Sequence, residues 1–213
     1  MDKPWRSRQT PGYVLMENSR IISDFFSESQ INKIYDYVNS CPIEKIVNNK
    51  RVGQQLYYIP AFDMRESGDS DLWDTVEKKA FENSGKNLKI LGIQFCRYTL
   101  DTGVTPSLSP HYDVAFDKEV LTLDIQLKKF IVGDWPIVVE KEKYILQDNQ
   151  ALIFSGTHEV HWREKRTFAK GEYLDMIFAH LCDPDSDDIK DSHKTNMKIK
   201  SNYYLKMWEM ERA

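Results

Sequence analysis

The chain reads as a mainly β protein of the α+β class, and three observations predict it. Up to residue 87, apolar residues recur at helical spacing. Beyond it, short runs rich in β-branched and aromatic residues are broken by turn-like or charged stretches. The last stretch, NYYLKMWEME, returns to a helical pattern. β-Rich runs at such close spacing suggest a sandwich or a jelly roll. At 213 residues the chain fits one domain. Its parts are a mainly helical support over 1–87, a β core over 88–183 and a tail helix within 184–213.

The first helix is predicted over SESQINKIYDYVNS, where Ser27 and Gln30 form an S-x-x-Q capping box. Ile31, Ile34, Tyr35 and Val38 share one face of it, and Phe25 and Phe26 are placed to dock its entrance. SDLWDTVEKKAFENS predicts a second helix, with Trp73, Val76, Ala80 and Phe81 on its buried side and Gly85 near its C-cap. NLKILGIQFCRYTL reads as a long strand. The glycine and two prolines of the following DTGVTPSLSP predict a loop without regular structure. VLTLDIQLKKFI, PIVV, KYIL, QALIF and EYLDMIFAHL read as further strands, and the polar residues 183–200 as a loop before the tail helix.

One strand divides sharply by face. In VLTLDIQLKK, Leu121, Leu123, Ile125 and Leu127 lie on one side, and Thr122, Asp124, Gln126 and Lys128 on the other. This describes a half-buried strand with a wet outer face. It equally describes a strand whose polar face lines a barrel mouth while the N-terminal helices cover its apolar face.

Acidic and basic residues are interleaved, the formal net charge is −4 and the pI is near 5.8. No basic face points to a nucleic-acid partner. Cys41, Cys96 and Cys182 are odd in number, far apart and without CxxC spacing, which argues against a disulfide framework and a structural zinc site. The opening MDKPWRSRQTPGY has no apolar segment, and no run reaches the ~18 apolar residues of a membrane span. The expectation is a cytoplasmic protein with no membrane partner; its oligomeric state is not legible.

SPHYDV sets His111 and Asp113 two residues apart. On an extended chain they point the same way, which suits two ligands on one ion, although an ordinary polar turn has the same pattern. About fifty residues later, QALIFSGTHEVHW supplies His158 and His161 just after a strand. Two histidines and one carboxylate on a β scaffold form the facial triad of non-haem Fe(II) oxygenases, with positions left open for a bidentate co-substrate and dioxygen. A zinc hydrolase also needs three ligands; its nearby general-base candidates would be Glu159 and Glu164.

RYTLDTGVTPSLSPHYD resembles the RY…G…HxD opening of Fe(II)/2-oxoglutarate-dependent dioxygenases, particularly the prolyl-hydroxylase-like branch. DWPIVVEKEKYILQDNQALIFSGTHEVHWREK resembles a subset of that superfamily, in which a WPI-type strand, a short turn and an aliphatic-aromatic-x-Gly strand end lead into His-Trp-Arg-Glu. The resemblance covers roughly residues 90–183. It implies a double-stranded β-helix (jelly roll) core with N-terminal supporting helices and a C-terminal helix. It also implies His111, Asp113 and His161 as the ligands of Fe(II). His158 is the rival for the distal position, but His161 belongs to HWRE and lies farther beyond the Phe154-Ser155-Gly156 strand end.

The superfamily holds the far carboxylate of 2-oxoglutarate with an Arg or Lys near the start of the last core strand. Here that strand begins GEYLDMIF, without a basic residue at the expected place. The candidates are Arg163, Arg166, Lys170 and Lys128. Arg163 is preferred because it faces the same way as His161 on an extended chain, and its planar fork suits a carboxylate. Tyr98 matches the RY position, Thr122 and Gln126 match polar positions facing the site, and His180 matches one lining it. The implied reaction hydroxylates an unactivated C–H bond, consuming 2-oxoglutarate and O2 and releasing succinate and CO2, with ascorbate in support. Retention of Asp113 favours hydroxylation, demethylation or desaturation over halogenation. A small-molecule substrate is expected over a protein. The alternatives are a cupin-like metalloenzyme that does not use 2-oxoglutarate and a non-catalytic jelly-roll binding module.

Overall fold

The computed structural model describes residues 19–63, 68–113 and 117–210. Helix α1 (Glu28–Ser40) starts at the capping box: the Gln30 N–H donates to Ser27 Oγ at 3.3 Å and the Ser27 N–H to Gln30 Oε1 at 2.9 Å. A single turn, α2 (Pro60–Asp63), precedes α3 (Ser70–Ser84). Asp69 caps α3 by accepting from the Leu72 N–H, and Gly85 ends it at φ 69°, a left-handed conformation that glycine adopts without penalty. Ile34 and Val38 of α1 and Leu72, Trp73, Val76 and Ala80 of α3 are buried. Phe81 is 54% exposed, contrary to the sequence reading. It follows Ala80 directly and is therefore turned about 100° from the buried face.

In chain order the strands are β1 (Arg20–Ile22), β2 (Ile46–Asn49), β3 (Gln54–Tyr57), β4 (Lys89–Thr99), β5 (Leu108–His111) and β6 (Leu121–Phe130). β7 (Ile137–Val139), β8 (Glu142–Tyr144), β9 (Gln150–Ser155), β10 (His161–Arg163) and β11 (Tyr173–Cys182) follow. They build two antiparallel sheets, a larger one in the order β1-β9-β6-β11-β4-β3-β2 and a smaller one in the order β5-β10-β7-β8. The chain passes between the sheets repeatedly from β4 onward, and Ile137 and Val139 of the smaller sheet pack on Leu152 and Phe154 of the larger.

Two expectations need correcting, and one gains detail. The mainly helical N-terminal part also carries β1, β2 and β3, which extend the larger sheet at its two edges. These strands are three or four residues long and recruit backbone groups of an existing sheet, so they show little side-chain alternation. DTGVTPSLSP is not wholly irregular: it holds a 3₁₀ turn at Leu100–Thr102 and the start of β5. β5 is an edge strand, where the missing N–H of Pro110 costs little. The tail helix α4 (Asp191–Met210) begins well before the stretch read as a loop has ended. Its first turns are polar because much of their surface is exposed.

β6 is buried on both faces, which overturns the wet-face reading. Leu121, Leu123, Ile125 and Leu127 share one core with the buried residues of α1 and α3. A fully enclosed aliphatic side chain there contributes roughly 1.5–3 kcal/mol. Thr122, Asp124 and Gln126 point between the sheets and are equally enclosed, whereas Lys128 is exposed. On the helix side, Asp175 of β11 takes two bonds from Arg97 of β4, at 2.7 and 2.8 Å, and a third from the Tyr35 hydroxyl at 3.0 Å. This ties α1 to the two strands. Asp175→Ala leaves the Arg97 charge without its acceptor, and its expected cost is about 3–5 kcal/mol. A urea midpoint equal to the wild type's would contradict that expectation.

Candidate metal centre

The antiparallel pairing of β10 with β5 sets His161 directly opposite His111. Their rings lie 4.2 Å apart between centroids. Two residues past β5's last pair, Asp113 turns in: its Oδ1 stands 4.0 Å from His111 Nε2 and 3.7 Å from His161 Nε2. The donor atoms of His111, Asp113 and His161 all lie within 4.8 Å of one another. First-row metals bind such ligands at about 2.0–2.2 Å, so one ion can engage all three with small adjustments. Tyr112, between them, points the other way, donating its hydroxyl to the Lys194 carbonyl on α4 at 3.1 Å.

Both histidine rings are oriented by backbone carbonyls. His111 Nδ1 lies 3.0 Å from the Ser109 carbonyl, and His161 Nδ1 lies 3.1 Å from that of Glu159. A carbonyl only accepts, so each Nδ1 carries a hydrogen and each Nε2 is the nitrogen turned toward the centre. Burial, with His111 beside it, pushes His161 down to about 3 despite Asp113, keeping its ring neutral. Burial alone would raise Asp113; His161, His180 and His111 outweigh it and hold the carboxyl well below the usual range. His180 Nε2 is 3.6 Å from Asp113 Oδ2, and Asp113 raises the imidazole's pKa against the opposing effect of burial.

Asp113 is positioned from behind as well. Its N–H donates to the Gly156 carbonyl at 2.9 Å, and Thr122 donates its hydroxyl to Oδ2 at 2.5 Å. Oδ1 is thereby left toward the two histidines. A Cβ at Gly156 would lie 2.2 Å from Asp113 Oδ2 and 2.1 Å from Thr122 Oγ1, so only glycine fits the closed end of β9. This residue was passed over in the sequence reading, although the FSG strand end marks it.

His158 is elsewhere. Its Nε2 is 3.0 Å from Glu119 Oε1, and its ring packs on His193 at 4.3 Å. Arg163 is buried beside the centre, two residues along β10 from His161. One guanidinium nitrogen donates to the Trp135 carbonyl at 2.7 Å, another approaches Met176 Sδ at 3.9 Å, and the guanidinium lies over the Trp135 ring. Its Nε has no acceptor among the described residues, and neither does the buried hydroxyl of Tyr98, whose ring packs edge-on against Trp135 at 4.9 Å. The other three basic candidates are not brought there. Arg166 is spent on the carbonyls of Val132 and Asp134, and Lys128 and Lys170 are exposed. Gln126 faces the interior, but its amide nitrogen is engaged by the Leu146 carbonyl at 3.0 Å. Trp135 and Asp124 were given no role by the sequence, although Asp124 stands on the polar face of β6 that the sequence marks as a possible lining.

No protein-family model matches the chain, and no characterised protein sequence matches it. Solved structures do. HygX from Streptomyces hygroscopicus, with nickel and 2-oxoglutarate bound, superposes with a TM-score of 0.58 at 9% identity, covering 81% of this chain and 85% of HygX. The non-haem α-ketoglutarate-dependent epimerase SnoN from nogalamycin biosynthesis gives 0.61 at 11% identity, covering 78% of each chain. A Pseudomonas putida prolyl-4-hydroxylase gives 0.55 at 8% identity, covering 77% of this chain and 91% of the hydroxylase. The chain thus has the fold of Fe(II)/2-oxoglutarate oxygenases, and its His111, Asp113 and His161 are grouped closely enough to hold one metal ion. At such identities the likeness is one of fold. No helix among the described residues is long and apolar enough to cross a membrane.

Gly156→Ala is expected to push Asp113 out of line and weaken Co(II) or Mn(II) binding about 10- to 100-fold, as loss of ligand-supporting contacts does. His158→Ala should bind as the wild type does. Calorimetric titration with the metal measures both.

Proposed function

We propose that the protein is an Fe(II)- and 2-oxoglutarate-dependent oxygenase of the prolyl-hydroxylase-like branch, a single domain acting in the cytoplasm. In this reading it hydroxylates an unactivated C–H bond of a small molecule, with release of succinate and CO2. The alternation of β4 to β11 between the sheets supports reading the core as a double-stranded β-helix. The observation that carries the function is Arg163, a buried guanidinium beside the three candidate ligands with no carboxylate hydrogen-bonded to it among the described residues. A buried charge without a partner is costly, and a dicarboxylate reaching from the metal to Arg163 removes that cost.

His111, Asp113 and His161 would hold Fe(II), and Arg163 would hold the far carboxylate of 2-oxoglutarate with the Tyr98 hydroxyl as a second donor. When bound, Fe(II) would bind and activate O2, the oxidant, and 2-oxoglutarate would supply two of its electrons on oxidation to succinate and CO2, a chemistry absent from protein side chains. The chain's own part is positioning. The Ser109 and Glu159 carbonyls orient the two imidazoles, and Thr122 fixes the carboxylate that completes the set. Leu152, Phe154, Ile137 and Val139 form a dry wall beside it.

Protein supplied with Fe(II), 2-oxoglutarate, ascorbate and candidate small-molecule substrates is expected to release succinate. His111→Ala, Asp113→Ala and His161→Ala should each abolish release, and His158→Ala should preserve it. Arg163→Ala should raise the KM for 2-oxoglutarate by about 10- to 100-fold, the worth of charge-assisted hydrogen bonds, without changing metal affinity. An active His161→Ala protein beside a dead His158→Ala would overturn the ligand assignment.

A further inference from the structure

The polar face of β6 holds one acid that the proposed chemistry leaves unused. Asp124 is 3% exposed and projects between the sheets, two residues from Thr122. No hydrogen bond or ion pair engages its carboxylate among the described residues. Its register partners are Phe178 on β11 and Leu152 on β9, neither of which can accept or donate through its side chain. The charged and titratable groups that face it are Arg163 of β10, Asp113 beyond β5 and His180 of β11. Cys96 and Tyr98 join them from β4.

Arg163 influences Asp124 but does not pair with it, so a buried cation and a buried acid share the interior without touching. Two such groups left apart are expensive unless a ligand lies between them or the acid is neutral. Burial, reinforced by Asp113, pushes Asp124 up to about 7 against the opposing influence of Arg163 and His180. A neutral acid keeps one O–H to donate, whereas an ionised one accepts only and repels a carboxylate.

Resting on the oxygenase reading, we propose that Asp124 donates a hydrogen bond, as its neutral acid, to the carboxylate that Arg163 binds. With the Tyr98 hydroxyl this makes a three-donor anchor, standing in for the basic residue missing from the start of β11. Asp124 is then a selector for dicarboxylates that arrive with a proton on the protein, and its amide counterpart Asn would donate without titrating.

The test reads binding and not turnover. 2-Oxoglutarate is titrated anaerobically into the Fe(II)-loaded protein, followed by visible absorption and by calorimetry, at about pH 6.5 and about pH 8.5. Wild-type affinity should fall about 25-fold between the two, because the free protein must then be reprotonated to bind. Asp124→Asn should bind within about threefold of the low-pH wild type at both values, and Asp124→Leu should bind at least about tenfold more weakly at low pH. Wild-type affinity that ignores pH, or Asp124→Asn binding as weakly as Asp124→Leu, overturns the proposal. If Asp124→Leu does not fold, the pH profile of the near-isosteric Asp124→Asn decides alone: a flat profile supports the proposal, and a wild-type slope overturns it. No binding by the iron-loaded wild type at either pH overturns the oxygenase reading itself, a result distinct from binding that is indifferent to Asp124.

Discussion

The molecule is organised around a strand that must be buried on both faces while being apolar on only one. Leu121, Leu123, Ile125 and Leu127 of β6 require a cover, and α1 and α3 provide it. Thr122, Asp124 and Gln126 require polar partners, and the smaller sheet closes over them to form an interior that is enclosed but not oily. The architecture follows from satisfying both demands at once. Helices lie outside the larger sheet, and the polar groups gather in the space between the sheets.

That space has an unusual charge inventory for a protein interior. An acid with a strongly lowered pKa, a histidine with a lowered one, an unpaired guanidinium and an acid with a raised pKa lie within reach of one another. Burial is the first cause of the raised Asp124 and the lowered His161, whereas Asp113 goes against burial because of its neighbours. Asp113 has three imidazoles around it, while Asp124 has apolar register partners and the negative Asp113. Opposed protonation behaviour in one small volume is the pattern expected of a chemical site more than of a structural ion-pair network.

What could be read in the sequence was whatever left a periodic or spaced trace. The capping box of α1, the glycine that ends α3 and the alternation of β6 all act through neighbours close along the chain, and all are present. So is the pairing of an HxD with a histidine about fifty residues away, because β10 returns antiparallel to β5. Features that depend on tertiary neighbours left no such trace. The short edge strands β1 to β3 borrow an existing sheet, and the polar start of α4 is helical without an apolar face of its own. Which face of β6 is wet could not follow from alternation, since a lined interior and a solvated surface ask for the same residues. Gly156 shows the same limit: its necessity comes from Asp113 and Thr122, both distant in sequence.

Helix α4 gives the centre a second support that is not part of its chemistry. The helix grips both ligand-bearing segments from outside: Lys194 and Ser201 hold Tyr112 and Pro110, while His193 and Lys200 hold the carbonyls of Thr157 and His158. Lys200 and Tyr204 also meet Glu140, whose carboxylate accepts from the Val160 N–H. Were the centre to hold an ion, the docked helix and the filled centre would be linked through the two segments they share. An ion that tightened the segment from Pro110 to Asp113 would then also favour the docked helix. Protection of α4 against exchange or proteolysis would then be an outward gauge of occupancy deep between the sheets.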